Sequence, residues 1–213
     1  GIGYGTDEDK FAKFWPADVH IIGKDILRFH AAIWPAMLLS AGLPLPKKLF
    51  VHGLITSEGK KMSKSIGNVI DPYDLINEYG SEAVRYYLAR HITPFEDGDL
   101  TLGSFKDAYN ANLANGLGNL VSRIMKMAED NLEKPVIIAE SEDMSEYFAY
   151  LEKFEINKAC DFVWAEIGEM DKFIQDNQPF KLIKTDKEAG QKMISDLVVR
   201  LYSVARMLNP ILP

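Results

Sequence analysis

Cysteine is almost missing from this chain: one residue, Cys160, stands among 213. A disulfide within the chain is excluded, as is a four-cysteine metal site supplied by this chain alone. Cys160 lies in the helical pattern "NKACDFVW" and reads as a core residue of a reduced, intracellular protein, so a cytoplasmic location is expected. Long apolar runs are also missing. The longest, 31–39, is interrupted by Pro35 and falls well short of the ~18 residues of a membrane span. Positive charge is in deficit, with 24 Lys and Arg against 31 Asp and Glu, for a net charge of −7. That balance excludes a general electrostatic grip on nucleic acid, and any RNA contact must use local basic patches. The opening "GIGYGTDEDK" has no initiator Met and neither the basic start nor the apolar run of a signal peptide. With the abrupt end at "NPILP", the expectation is a segment cut from a longer protein.

Hydrophobic residues make up 47% of the chain, enough for real cores. The stretch 18–23, "DVHIIG", reads as a short strand, and 24–42 as a helix that is apolar nearly all round and hence buried. The stretch 48–56, "KLFVHGLIT", reads as a second strand. Strand, helix, strand is a crossover unit, which implies parallel strands. Two short helices follow at 71–80 and 81–91, with Asp71 and Ser81 as candidate caps, and then "ITPFEDGDLT" as a linker. From Ser104 onward only helical periodicity appears, at about 104–131, 144–152, 156–178 and 186–208. The predicted fold is α/β plus all-α: the second half of a Rossmann-like parallel sheet over 1–70, a helical connecting region over 71–103, and an α-helical bundle over 104–213.

In open α/β sheets ligands bind beyond the carboxyl ends of the strands. Here those ends carry "GKD" and "SEGKKMSKS". The run 59–68, "GKKMSKSIGN", packs three lysines and two serines between glycines. A lysine ammonium is a compact charge on a flexible stem, suited to a triphosphate whose charge shifts during reaction. Serine hydroxyls and loop N–H groups can add hydrogen bonds. A solvated basic turn has the same composition, and position at a strand end is what favours the anion reading.

The pentapeptide "KMSKS", 61–65, is letter for letter the second signature of class I aminoacyl-tRNA synthetases. The longer run "HIIGKDILRFHAAIWPAMLLSAGLPLPKKLFVHGLITSEGKKMSKSIGNVIDP" closely resembles the bacterial-type methionyl-tRNA synthetases, and the resemblance extends over essentially the whole chain. It implies ATP-dependent ligation of L-methionine to tRNA(Met) through a methionyl-adenylate, with Mg2+ arriving on the ATP and no metal site within this chain. It assigns Lys64, assisted by Lys61, to the phosphates as catalytic residues, with Met62, Ser63 and Ser65 completing the ATP-closing loop. Asp25 matches the carboxylate on the ATP ribose, though a plain helix cap explains it equally well. Gly23 allows backbone to approach the nucleoside, and His52, Gly53 and Ile55 match the strand end beside adenine. Phe29 and His30 match the methionine side-chain pocket, where an aromatic wall suits a polarizable thioether.

The helical half carries a second constellation. Leu113, Leu117, Leu120 and Ile124 form one helix face, and Asn112, Asn115, Asn119 and Arg123 fall opposite. Asparagine is a poor helix former, so a row of them inside a helix has a cost, though on the residues alone a solvated polar face accounts for it. Under the resemblance Asn115, Asn119 and Arg123 match the family's anticodon readers, since amides and guanidinium can read unstacked bases. The family usually has Pro-Trp where this chain has Pro179-Phe180; Phe180 keeps a ring for stacking but lacks the indole N–H. The family's HIGH signature and its zinc-bearing insertion have no counterpart in this chain, which is therefore expected to carry half of an active site. On the residues alone, another class I synthetase or a tRNA-binding module without catalysis also fits.

Overall fold

The computed structural model describes residues 1–138 and 143–213. Helix α1 (Glu8–Phe14), which the periodicity did not reveal, is capped by Asp7, whose carboxylate accepts the Lys10 N–H. Strands β1 (His20–Gly23) and β2 (Leu49–His52) pair in parallel, with His20 opposite Leu49 and Gly23 opposite His52. The crossover between them is helical: a 3-10 turn over Lys24–Ile26, a π segment over Phe29–Ile33, and α2 (Trp34–Ser40). The crossover unit is thus as its pattern implied.

Three sequence expectations need correction here. The helix over 24–42 is not buried: Phe29, Met37 and Leu39 are 57%, 58% and 65% exposed, and only Leu38 of α2 is buried. Parallel sheets and their crossovers are apolar because both faces expect cover, and among the described residues no layer lies over this one. The second strand is broken. β2 stops at His52, and β3 (Ile55–Ser57) is the central strand of a separate sheet. Nor is 92–101 merely a linker: it contains β5 (Gly98–Asp99), parallel to β3, while β4 (Lys60–Lys61) pairs antiparallel with β3.

Helix α3 (Pro72–Tyr79) is capped by Asp71 as expected, with the Asp71 carboxylate accepting the Tyr73 N–H. Ser81 does not cap α4 (Ser81–His91). It is the first helical residue, the cap position falls to Gly80, and the Ser81 hydroxyl donates to Glu82. These helices form a core with α5 (Leu102–Ala108) around Leu75, Val84, Tyr87 and Phe105. The helix from α5 runs on through a π segment (Tyr109–Gly118) into α6 (Asn119–Asn131). Its apolar face behaves as the periodicity predicted, with Leu120 and Ile124 fully buried.

The bundle is completed by α7 (Ser145–Glu152), α8 (Ile156–Asn177), the short α9 (Pro179–Leu182) and α10 (Lys187–Leu208). Its core gathers Val163, Met170, Ile174, Leu197 and Val204, each worth roughly 1.5–3 kcal/mol of burial. Cys160 is buried there, and burial pushes its thiol up to about 12, so it is inert at neutral pH.

Helix α4 locks the α/β part to the bundle. The Arg90 guanidinium lies 4.6 Å from the Trp164 ring, donates to Asp161 at 2.9 Å and donates to the Tyr86 hydroxyl at 2.9 Å. Arg85 donates to the carbonyls of Ile211 and Pro210. On the sheet side, Phe50 of β2 stacks on Phe154 at 4.9 Å. His91 closes the junction, stacked on Tyr87 at 5.0 Å with its Nε2 3.4 Å from the Asn112 amide. Desolvation first, then the Arg90 charge, lowers its pKa from 6.5, while Asp161 works against them. The unfolded chain therefore binds this proton more readily than the folded one. Stability is lost as pH falls from about 6.5 toward the depressed folded value. The fall in melting temperature between pH 7 and the low fives should be larger for the native chain than for His91→Gln; equal falls would remove His91 from the acid response.

Candidate functional site

The carboxyl ends of β1 and β2 lie side by side because Gly23 and His52 are register partners. The chain after β1 turns at once into the 3-10 segment, and Asp25 folds its carboxylate back over Gly23. A Cβ on Gly23 would meet Asp25 Oδ1 at 2.7 Å and the His52 ring at 3.7 Å. Gly23, Asp25 and His52 are thus one cluster. His52 Nδ1 is 2.8 Å from its neighbour's carbonyl, Gly53 O. Gly53 is required by a close approach, since a Cβ there would lie 1.9 Å from Glu96 O. Ile55, with His52 and Gly53, lines a small apolar cavity of about 200 Å³ closed by Leu88 and Ile92.

Sequence reasoning missed the acids that hold these loops. Asp97 accepts the Leu54 N–H at 2.8 Å on one oxygen and pairs with Lys24 at 2.6 Å on the other. Lys24 is the first cause holding its carboxyl below the usual range, followed by the Leu54 N–H. Asp99 accepts the Gly59 N–H at 2.9 Å and the Thr56 hydroxyl at 2.7 Å, which lower its pKa in that order. Both acids flank Gly98, so an alternating reading of "EDGDL" as a strand would have found them on one face.

The lysine run begins as a hairpin. Glu58 and Gly59 take φ values of 55° and 69°, the left-handed pair that a tight two-residue turn needs, and Lys60 and Lys61 return antiparallel to β3. Beyond Lys61 the loop is tied to itself. The Ser63 and Ser65 hydroxyls are 2.7 Å apart, and the Ser63 carbonyl accepts the N–H groups of Ile66 and Gly67. Asn68 spans the loop from its far end. Met62 and Ser63 are half-buried, whereas Lys61, Lys64 and Ser65 are exposed. The ammonium groups of Lys61 and Lys64 have no hydrogen bond or ion pair among the described residues.

Phe29 and His30 part company. His30 is half-buried, its Nδ1 3.1 Å from Ile26 O and its ring edge-on to His20 at 6.3 Å. That pair joins an aromatic cluster with Trp15 and Trp34, in which Trp15 donates to the Pro44 carbonyl. Phe29, on the neighbouring helix direction, is exposed.

In the helical half Asn115 and Asn119 are exposed on the π segment and the start of α6. Asn112 is not in line with them. The π segment advances each residue by less than the ordinary helical angle, and Asn112 turns to His91 instead. Arg123 pairs with Asp171 of α8, whose second oxygen accepts from the Gln175 amide at 2.6 Å. Phe180 reaches the same place from the α8–α9 corner, which the left-handed Gln178 and helix-starting Pro179 set. Arg123 and Phe180 line one open groove of about 790 Å³ with Ser122, Lys126 and Ile174.

Known proteins show where this arrangement belongs. The family model described as "tRNA synthetases class I (M)" matches residues 3–125. The chain belongs to the class I (M) tRNA synthetases. Among curated members, the methionine–tRNA ligase of Clostridium acetobutylicum is 42% identical over all of this chain and 35% of its own length. The ligase of Thermotoga maritima is 38% identical over all of this chain and 36% of its own. Mycobacterium tuberculosis methionyl-tRNA synthetase bound by methionyl-adenylate superposes with a TM-score of 0.88 at 33% identity, covering all of this chain and 45% of that one. The chain thus spans less than half the length of these synthetases. Among the described residues no helix is long and apolar enough to cross a membrane, and no group of three acidic, histidine or cysteine side chains is placed to hold a metal ion.

Proposed function

We propose that this chain supplies the phosphate-closing half of the active site, and the anticodon-reading face, of a methionine–tRNA ligase acting in the cytoplasm. The observation that carries the reading is the pair of exposed, unpartnered ammonium groups, Lys61 and Lys64, on a loop tied at both ends. That loop rises from the hairpin after β3, and the segment whose Asp99 holds this hairpin also carries Asp97, which pairs with Lys24 beside Asp25. The resemblance of the chain to methionine–tRNA ligases along its whole length supports the choice of amino acid.

In this reading Asp25 accepts hydrogen bonds from the ATP ribose, while Gly23, His52, Gly53 and Ile55 border adenine. A methionine carboxylate oxygen attacks the α-phosphorus. The bond from that phosphorus to the bridging oxygen breaks, and pyrophosphate leaves. Lys64, with Lys61, meets the negative charge gathering on the leaving pyrophosphate, and the Ser63 and Ser65 hydroxyls add donors. Mg2+ comes on the triphosphate as part of that substrate. The terminal tRNA hydroxyl then attacks the methionyl carbonyl and AMP leaves. Phe29 and His30 border the methionine side chain. Asn115, Asn119 and Arg123 read anticodon bases, with Phe180 stacking on one of them.

In the full-length protein, Lys64→Ala should slow adenylate formation about 10²- to 10³-fold, or about 3–4 kcal/mol of transition-state stabilisation. The Kd for methionine should hold. Pre-steady-state adenylation decides the matter: a variant with native kcat and a raised KM for ATP would make the loop a static binding patch. Arg123→Ala removes a charged contact to a base, worth about 1–3 kcal/mol, so kcat/KM for tRNA charging should fall roughly 5- to 150-fold. Adenylation should be untouched, because the surface pair with Asp171 adds little to the fold. Equal losses in both assays would contradict the separation of the two sites.

A further inference from the structure

We infer that Asn68 is the positioning residue of the lysine loop, acting through Lys64, an assignment that rests on the adenylation reading above. One side-chain amide ties two backbone groups on either side of Met62. Asn68 Oδ1 accepts the Ser63 N–H at 2.9 Å, and Asn68 Nδ2 donates to the Lys61 carbonyl at 3.3 Å. The two bonds bracket Met62, so residues 61–63 and 68 form one closed ring. Asn68 is half-buried, so its bond to the Ser63 N–H is partly sheltered from water, while the bond to Lys61 is exposed.

At the other end, Asp99 fixes Gly59 and Thr56, so the hairpin base cannot slide along β3. Between the two ties only the tip is left, and the Ser63 carbonyl gathers it by accepting from Ile66 and Gly67. Lys64 rides on that tip. Movement of the loop toward a triphosphate therefore carries Lys61 and Lys64 together as a unit, and the amide makes it a unit. Of the polar side chains, only asparagine or glutamine offers both a carbonyl and an N–H on one planar group, and the shorter asparagine spans this gap.

Breaking the ring leaves the charge on Lys64 intact and misplaces it. Misplacement of about 1 Å costs up to about 10²-fold in rate. In the full-length protein Asn68→Ala should therefore slow adenylation about 10- to 100-fold with an unchanged Kd for methionine. Asn68→Asp keeps the acceptor but loses the donor, and should fall between. In a Lys64→Ala background, Asn68→Ala should have a far smaller further effect, less than about five-fold, because the main group it positions is gone and only the assisting Lys61 remains.

Amide exchange on the present chain supplies a readout independent of activity: Ser63 should exchange faster in Asn68→Ala than in the native chain. Multiplicative losses in the double variant, or unchanged exchange at Ser63, overturn the inference. If the native full-length protein shows no methionine-dependent adenylation, the adenylation reading fails by itself, and the exchange result still decides whether Asn68 ties the loop.

Discussion

The main chain at Glu96 passes so close to Gly53 that no side chain fits between them, and the arrangement of the strand ends and the lysine hairpin depends on that contact. It ends β2 and starts a new sheet, because the segment 96–99 lies down beside β3. It also delivers two carboxylates to the loops. Asp97 ties the turn after β1, through Lys24, to the backbone after β2. Asp99 ties the hairpin from which the lysine run emerges. Each of these bonds is exposed and modest taken singly. Their joint effect is geometric: the turn that carries Asp25, the backbone after β2 and the lysine hairpin are all tied to one segment, 97–99.

The two proposed sites are linked by a rigid junction. Arg90 is held by Trp164, Tyr86 and Asp161 at once, and Arg85 grips the chain end at Pro210 and Ile211. Arg123 and Phe180 lie on the bundle side of that junction, Lys61 and Lys64 on the sheet side. Under the proposed function, a bundle with its own buried core separates the tRNA-reading residues from the adenylation chemistry.

The parallel crossover, the helical bundle and the lysine loop were legible because each depends on local pattern: strand-end glycines, 3.6-residue periodicity, or a five-residue signature. What was not legible depends on contacts remote in sequence. The break at Gly53 is imposed by residues some forty positions away. Asp97 and Asp99 looked like linker acids because β5 is only two residues long, and only their alternation about Gly98 hinted at a shared face. Asn112 left the predicted row because π-helical turns shift the phase of everything before them. The exposed apolar crossover helix misled differently. Its composition reports a covered surface, and among the described residues nothing covers it.

The most direct test of this account is methionine-dependent ATP–pyrophosphate exchange by the full-length protein, native and Gly53→Ala. An added methyl must push the Glu96 carbonyl away and draw Asp97 off Leu54 and Lys24. The account predicts exchange that requires methionine over other amino acids in the native protein. In the variant, exchange should fall about 10²-fold, a loss of alignment at the reacting end, while the helical bundle keeps its melting transition. Native-level exchange in Gly53→Ala would contradict it.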